Sequence, residues 1–205
     1  MRIFVTGGSG YIGSVTVARL RQAGHEIVVF DNFERGHRAA LASDVPVIRG
    51  DLRDSEAIAR AIRETRPEAV MHFAAYALVG ESMRAPEMYF DNNVGGGIHL
   101  LEAMRKAGVR RLVFSSSCAT YGDPGGNDID ESTPQVPTNP YGESKLMFER
   151  LLHWYNRLHG FESVALRYFN ACGATDTLGE DHADETHLIP LVLQAASGRR
   201  ESISI

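Results

Sequence analysis

The sequence predicts an α/β protein built on a doubly wound parallel β-sheet. Short runs rich in β-branched residues alternate along the chain with longer segments of helical character. This alternation is typical of βαβ units, in which helices cover both faces of a parallel sheet. Right-handed crossovers between the strands then favour an open, doubly wound arrangement. A chain of 205 residues, 43% of them hydrophobic, is long enough to bury such a core.

Each predicted strand is a short apolar run, and each predicted helix is a longer segment between two runs. In the first helix, Val17 and Leu20 follow Gly13 at i+4 and i+7, a spacing that places them on one face toward the sheet. Strands are predicted at 3–6, 26–30, 46–49, 69–73, 111–115 and 163–167. Helices are predicted near 11–23, 54–65, 86–107, 141–158 and 187–197.

Two stretches interrupt the alternation of strands and helices. Residues 123–139 are rich in proline, glycine and acidic residues, and residues 173–186 carry acidic residues among small ones. Both are predicted to be long surface loops, and loops of this length in compact domains usually have a binding or gating role.

Composition and charge exclude several classes of protein. A net charge of -5 with a pI near 5.9 argues against a nucleic-acid-binding surface. No segment approaches the roughly 18 uninterrupted apolar residues of a transmembrane helix, and the N-terminus lacks the pattern of a signal peptide. The two cysteines, Cys118 and Cys172, do not form a disulfide framework, so we expect a cytoplasmic protein.

A glycine turn follows the first predicted strand. Gly7, Gly10 and Gly13 lie between that strand and the first helix with the spacing G-x-x-G-x-x-G. A Cβ at such positions would block the tight turn and the approach of a pyrophosphate to the backbone, while the helix N-terminus favours negative charge. Together with Asp31 at the end of the second strand, this pattern predicts a Rossmann fold that binds a dinucleotide.

Asp31 also indicates which dinucleotide is bound. A carboxylate at the end of the second strand accepts the ribose hydroxyls of NAD and repels the 2′-phosphate of NADP. Arg35 and Arg38 favour the opposite choice, but Glu34 partly offsets them, and the sequence therefore predicts NAD. Asp51, at the end of the third strand, has two equal interpretations, as a contact to adenine or as an acid at a helix N-cap.

A tyrosine and a lysine are placed for proton transfer. Tyr141 and Lys145 are separated by one helical turn, and Asn139 and Pro140 before them suit the N-cap and N1 positions. A neighbouring ammonium favours phenolate and makes tyrosine a better base. The run Ser115-Ser116-Ser117 ends a predicted buried strand, where open α/β sheets bind their ligands. This combination predicts an active site at that edge.

The chain resembles the extended short-chain dehydrogenase/reductase family and, within it, the nucleotide-sugar 4-epimerases. The resemblance covers all 205 residues. Its motifs are TGGSGYIGS (6–14), Asp31-Asn32, Gly50-Asp51-Leu52, HFAAYALVGES (72–82), YFDNNV (89–94), SSSCATYG (115–122), NPYGESK (139–145), RYFNACGA (167–174) and THLIP (186–190).

The resemblance implies a role for each matching residue. Tyr141 corresponds to the catalytic base, Lys145 to the residue that binds the nicotinamide ribose and tunes the tyrosine, and Ser117 to the hydroxyl partner. The cofactor-binding positions are Gly7, Gly10, Tyr11, Ile12, Gly13, Asp31, Asn32, Asp51, Leu52, Phe73, Ala74, Ala75, Asn92, Ser115, Tyr141, Lys145 and Tyr168. The substrate-binding positions are Ser117, Tyr141, Asn170 and Leu188.

Some positions depart from the family pattern. Ala77 stands where some members have a lysine that contacts the cofactor, and His187 stands where some have asparagine. The family also continues beyond this length. Residues 1–172 are therefore expected to form the NAD-binding domain, and 173–205 to begin a smaller substrate-binding domain of which most is missing.

The resemblance implies a reversible inversion at C4 of a UDP-hexose, UDP-glucose or UDP-galactose, through a transient 4-keto sugar with bound NAD. A 4,6-dehydratase is disfavoured because Cys118 and Ala119 follow Ser117 where an Asp-Glu pair is expected. The alternatives are an epimerase of UDP-pentoses or UDP-N-acetylhexosamines, and a non-catalytic NAD-binding module.

Two further expectations concern assembly and metals. The helices near 86–107 and 141–158 resemble the pair through which family members form homodimers. Leu146, Phe148, Leu152 and Tyr155 are expected on or near an apolar face of the second helix, which faces either a partner or the sheet. No metal site is predicted, because the spacing of Asp181, His182, Asp184, Glu185 and His187 matches no zinc or calcium loop.

Overall fold

The computed structural model describes residues 1–126, 128–182 and 185–203 and contains the predicted parallel sheet. Its strand order is β3-β2-β1-β4-β5-β6, and every neighbouring pair is parallel. The order reverses between β1 and β4, which is where open α/β sheets form a ligand crevice. The predicted fold class is confirmed. The strands are β1 Arg2–Thr6, β2 Glu26–Asp31, β3 Val47–Arg49, β4 Ala69–His72, β5 Arg111–Ser117 and β6 Glu162–Tyr168.

Helices alternate with the strands as the sequence predicts. The predicted helix over 86–107 consists of α4, a π-helical segment at Phe90–Gly95 and α5 in succession, and the short helix α3 was not predicted. Short 3₁₀ turns lie at Arg38–Ala40 and Cys118–Thr120. The α-helices are α1 Tyr11–Gln22, α2 Ser55–Thr65, α3 Val79–Ser82, α4 Pro86–Tyr89, α5 Gly96–Ala107, α6 Pro140–His159 and α7 Leu188–Ala196.

Capping side chains fix where two helices begin. At α6 the Asn139 side chain accepts the backbone N–H of Gly142, with Pro140 in the first turn, as predicted. At α2 the cap is Asp54, which accepts the N–H groups of Glu56 and Ala57. Asp51 is therefore not the N-cap residue, because α2 begins three residues later than a cap at Asp51 would require.

The core lies on both faces of the sheet, and β1 contributes to both. Phe4 points into a cluster formed with α2, α5 and α6, whereas Val5 points into a smaller cluster with Val17 of α1. In α5, a Cβ on Gly97 would lie 2.4 Å from the ring of Phe148 of α6, so glycine lets the two helices pack closely. Side chains of both helices pack in the same core cluster as Val70 of β4 and Phe114 of β5.

Both predicted surface loops lack regular structure where they are described. Residues 123–126 and 128–139 form neither helix nor strand, and the same holds for 173–182 and 185–186. The remaining residues of the two predicted loops, 127, 183 and 184, lie outside the described part. Among the described residues, no helix is long and apolar enough to cross a membrane.

Candidate active site

The glycine turn between β1 and α1 is shaped by its backbone. Gly7 has a φ of +70°, and a Cβ there would lie 2.4 Å from the backbone nitrogen of Ala74 in the segment after β4. A Cβ on Gly13 would lie 2.2 Å from the carbonyl oxygen of Gly7. A Cβ on Gly10 would make only an ordinary contact, at 3.6 Å from the same oxygen. The fold therefore requires glycine at positions 7 and 13, whereas Gly10 has open space above its Cα.

The N-terminus of α1 is exposed toward this space. Its N-cap residue is Gly10, and no side chain caps the helix. The first backbone N–H groups of a helix have no partner within the helix, and the positive end of the helix dipole lies at the same place. An anion such as a pyrophosphate is favoured there.

A cleft opens beside the turn, at the carboxyl ends of β1, β2 and β4. Ten of the predicted cofactor positions line it, namely Gly7, Gly10, Asp31, Asn32, Asp51, Leu52, Phe73, Ala74, Ala75 and Asn92. Six further residues line it that were not among the predicted positions, namely Phe30, Glu34, Arg35, Gly36, Gly50 and Tyr76. Gly50 and Tyr76 belong to motifs quoted above, and Phe30, Glu34, Arg35 and Gly36 are close to Asp31 in sequence, but their place in the cleft was not predicted.

Asp31 is buried at the end of β2 and faces the turn. One carboxylate oxygen accepts the N–H of Ser9 at 3.0 Å, and the other accepts the N–H of Phe33 at 2.9 Å. These bonds fix the orientation of the carboxylate and use one acceptor site of each oxygen. Since a carboxylate has about four such sites, acceptor capacity is left for ribose hydroxyls.

One wall of the cleft is a network of charged side chains. Asp51 accepts hydrogen bonds from Arg53 and from the Asn32 amide, and those bonds, led by Arg53, hold its pKa well below the ordinary range despite partial burial. The Tyr76 hydroxyl donates to Glu34 at 2.7 Å. Burial and this hydrogen bond raise the pKa of Tyr76 to about 12. Arg35 forms a salt bridge with Glu81 at 2.8 Å, so its positive charge is already paired with a carboxylate.

The predicted catalytic residues meet where β5 ends and α6 begins. Lys145 is buried, and its Nζ donates to the carbonyl of Ser115 at 2.7 Å. Ser117 Oγ accepts the N–H of Ala119, which leaves its hydroxyl proton free for Tyr141. Lys145 Nζ lies 5.8 Å from the centroid of the Tyr141 ring. The sequence prediction that these side chains share one edge of the sheet is met by this geometry.

The pKa values of this group reflect its burial. Burial raises the pKa of the Tyr141 phenol, and a hydrogen bond donated by Ser117 acts in the opposite direction. Burial lowers the pKa of Lys145 to about 7, with the charge of Glu149 opposing the change. By itself, the chain therefore keeps Tyr141 protonated and leaves Lys145 able to exchange a proton near neutral pH.

Glu149 is a residue near the site that sequence reasoning missed. It lies one turn after Lys145 and pairs with Arg167 of β6 at 2.7 Å. It also accepts hydrogen bonds from Ser116 and from Gln135. Burial acts to raise the pKa of Glu149, but these hydrogen bonds, led by Arg167, outweigh it and leave the pKa lowered. The i+4 spacing from Lys145 was the only available sequence signal.

Replacing Lys145 by methionine is expected to change how stability depends on pH. In the unfolded chain the amine binds a proton below about 10.5, but in the fold only below about 7. Between these values the unfolded state binds more protons, so the unfolding free energy of the parent falls as pH falls, by up to about 1.4 kcal/mol per pH unit. Methionine lacks this titration. Urea denaturation from pH 7 to 10 measures the difference between the two proteins.

The control for this experiment is Lys106→Met, which changes the chain's other, exposed lysine. The difference in unfolding free energy between Lys106→Met and the parent is expected to stay constant from pH 7 to 10. A flat difference for Lys145→Met as well would show that the Lys145 amine is solvated in the folded protein.

The remaining predicted positions lie around the cleft or at the loop after β6. Tyr168 pairs in register with Ser117 across β5 and β6 and is half-buried. The Tyr11 hydroxyl donates to the carbonyl of Gly173 at 2.6 Å, joining α1 to that loop. Asn170 and Leu188 are exposed, and Leu188 is the first residue of α7. The role of each of these positions is still a prediction.

Comparisons with known proteins identify a family model and relatives that are similar to this chain. A family model described as the NAD dependent epimerase/dehydratase family matches residues 3–205. The UDP-glucose 4-epimerase of Streptococcus mutans is 52% identical over 209 residues, which cover 100% of this chain and 63% of that protein.

Solved structures similar to this chain are also UDP-glucose 4-epimerases. The UDP-glucose 4-epimerase from Brucella ovis in complex with NAD has a TM-score of 0.93 and 45% identity, and the match covers 98% of this chain and 62% of that one. The UDP-glucose 4-epimerase from Bifidobacterium longum in complex with NAD+ and UDP has a TM-score of 0.89 and 35% identity, covering 98% and 64%. The chain therefore spans less than two thirds of the length of these relatives.

Proposed function

Because the chain belongs to the NAD dependent epimerase/dehydratase family, we propose that it binds NAD and performs proton transfer in the C4 epimerisation of a UDP-hexose, as a UDP-glucose 4-epimerase. The observation that carries this proposal is the meeting of Ser117, Tyr141 and Lys145 at the end of β5, on the sheet edge where the glycine-turn cleft opens. The Brucella ovis and Bifidobacterium longum relatives were solved with NAD.

The residues of the cleft fit this cofactor. A Cβ would fill the turn at Gly7 and Gly13, Gly10 leaves space above an uncapped helix N-terminus, and Asp31 keeps acceptor capacity for a ribose. NAD, when bound, accepts a hydride from the sugar and returns it. The start of α1 would hold the pyrophosphate and Asp31 the adenosine ribose, with Asn32 and Asp51 along the wall.

Tyr141 moves the proton of the C4 hydroxyl. Its raised pKa means that the phenolate requires positive charge close by. Lys145 supplies that charge, because a phenolate forming beside an amine with a pKa of about 7 favours the protonated amine. The positive charge of a bound nicotinamide would also favour the phenolate. Ser117 has a hydroxyl proton free to bond the phenolic oxygen and to orient the sugar hydroxyl.

The substrate that we propose is a UDP-sugar, interconverted between UDP-glucose and UDP-galactose through a 4-keto sugar. Asn170 and Leu188 are the proposed contacts of the chain to it. The Streptococcus mutans relative is named for UDP-glucose, and the Bifidobacterium longum relative was solved with UDP. These relatives favour this substrate over UDP-pentoses or UDP-N-acetylhexosamines. They also favour an enzyme over a non-catalytic NAD-binding module.

Spectrophotometric detection of UDP-glucose formed from UDP-galactose, coupled to a UDP-glucose dehydrogenase, tests the proposal. The assay is performed on the chain and on a chimera that continues it with the remaining C-terminal part of a full-length relative. Turnover by the chimera that depends on Tyr141 is the expected result. A folded chimera that binds NAD and UDP-galactose but gives no turnover would overturn the proposal.

Asp31→Ala is expected to narrow the preference for NAD over NADP. In the parent, the buried carboxylate accepts ribose hydroxyls and repels a 2′-phosphate, so NAD binds more tightly. Removing it weakens NAD binding and relieves the repulsion of NADP. Calorimetric titration of both cofactors against both proteins gives the four affinities. Equal or tighter binding of NADP by the parent would contradict the assignment.

We also propose a cytoplasmic homodimer that assembles through α5 and α6. Leu146, Phe148 and Leu152 were expected near an apolar face, but they are buried within the monomer, because that face of α6 packs against the sheet. The outer face of α6 instead exposes Met147, Trp154 and Leu158, which lie at i, i+7 and i+11 and so share one side.

Light scattering on the parent and on Trp154→Glu tests the homodimer. A dimer at micromolar concentration that the substitution dissociates is expected, and a parental monomer would count against the proposal. The two free cysteines support the proposed compartment.

A further inference from the structure

The loop before α7 gathers two imidazoles and two carboxylates at one point. The nearest ligand atoms of Glu180, His182, Glu185 and His187 all lie within 4.8 Å of one another. All four side chains are partly buried. None of them belongs to the cleft or to the catalytic group described above. Asp181, which the sequence placed with them, instead faces His37, and Asp184 lies outside the described residues.

The four distances between an imidazole nitrogen and a carboxylate oxygen are close to those between neighbouring ligands of a metal ion. His187 Nδ1 lies 3.1 Å from Glu180 Oε1 and 2.8 Å from Glu185 Oε1. His182 Nδ1 lies 3.1 Å from Glu180 Oε1 and 3.7 Å from Glu185 Oε2. Ligands about 2.1 Å from a tetrahedral zinc ion are separated by roughly 3.4 Å. The four observed distances fall on both sides of that value.

Each imidazole makes one hydrogen bond within this group, from His182 to Glu180 at 3.1 Å and from His187 to Glu185 at 2.8 Å, and a second carboxylate lies close to each ring without such a bond. Each Nδ1 faces two carboxylates, and a neutral imidazole has a single ring proton to donate. The two carboxylates also face each other across the group with their negative charges. A divalent cation at the centre would accept one nitrogen lone pair from each imidazole, and its charge would neutralise both carboxylates.

We propose that Glu180, His182, Glu185 and His187 bind a divalent transition metal of the zinc class. Two nitrogen and two oxygen ligands suit zinc, whereas calcium and magnesium prefer oxygen ligands throughout. The site connects the loop to the start of α7, since His187 is the N-cap residue of that helix. A metal there orders the segment that presents Leu188.

Sequence reasoning predicted no metal because the spacing of the ligands follows no established motif. The four residues lie at i, i+2, i+5 and i+7 on an irregular loop, so neither strand nor helix periodicity places them on one face. The path of the loop brings them together. The hydrogen bond from Tyr11 to Gly173 and the contact of His37 with the Asp181 carbonyl hold that path against the sheet domain.

Titration of the untagged, chelator-treated chain with zinc chloride tests the proposal. Calorimetry is expected to give one site per chain, and cobalt chloride to give the strong visible absorption of tetrahedral coordination. His182→Asn and Glu185→Gln should each weaken zinc binding by more than about 100-fold, since the loss of an outer-shell partner alone costs about 10- to 100-fold. Thermal melting confirms that both variants are folded.

Three control variants are needed because the chain contains 8 histidines and a free cysteine in the same loop. His153→Asn changes an exposed histidine of α6, Asp176→Asn an exposed acid of the loop, and Cys172→Ser the exposed thiol. All three should bind zinc like the parent. Absence of a stoichiometric site, or equal losses in the control and cluster variants, would overturn the proposal. No cofactor or sugar takes part, so the result is independent of the proposed function.

Discussion

Tyr141→Phe is expected to lower C4 epimerisation by about 10²- to 10⁴-fold, the usual contribution of a general acid or base. The substitution removes only the phenolic hydroxyl, which is the group that exchanges the C4 proton in the proposed reaction. The ring keeps its edge-to-face packing on Tyr89, at 6.3 Å between centroids, so the start of α6 should be unchanged. Turnover is measured by the coupled assay in the chimera, and NAD affinity by calorimetry.

Tyr155→Phe is the matched control for this prediction. Tyr155 lies on the same helix, and its hydroxyl donates to Glu102 at 2.7 Å on α5, away from the cleft. The same atom is lost in both variants, and only the position differs. Turnover and NAD affinity should both remain at the parental level in the control. Near-parental turnover in Tyr141→Phe would mean that another group takes the proton.

Local sequence patterns predicted the sheet and the cofactor turn. β1, the glycine spacing and α1 are adjacent in sequence, and the switch point follows from the handedness of the crossovers. The start of α6 was likewise predictable from the Asn139 cap and Pro140, which act within one turn. The Ser117, Tyr141 and Lys145 group follows because strand ends of a parallel sheet meet at one edge.

Contacts between distant segments were not predictable in this way. Periodicity identified an apolar face on α6 but could not decide whether that face packs on the sheet or on a partner, and Phe148 and Leu152 proved to be core residues. Glu149 acquires its role from Arg167 on β6. The cluster around His182 depends on a loop path that no local rule describes. In each case the deciding partner lies on another element or on irregular backbone.

Two alanine substitutions in the glycine turn are expected to have different consequences. Gly13→Ala would place a Cβ 2.2 Å from the Gly7 carbonyl oxygen and 2.9 Å from Gly8 Cα. These are backbone atoms, so the turn must open, which should cost about 1–3 kcal/mol of stability or more and abolish NAD binding. Gly10→Ala meets only one atom, at 3.6 Å, and its φ of -76° suits any residue. Stability should therefore stay within about 0.5 kcal/mol of the parent.

The Gly10→Ala protein should nevertheless bind NAD at least tenfold more weakly than the parent. Its added methyl group occupies the space over the uncapped start of α1, where the pyrophosphate is proposed to lie, and it holds the phosphates away from the helix N–H groups. Urea denaturation and calorimetric titration separate the two effects, with Gly80→Ala as an exposed helical control in which the nearest contact is at 3.8 Å. Parental NAD affinity in Gly10→Ala would show that the pyrophosphate does not pass over this turn, even if Gly13→Ala fails to fold.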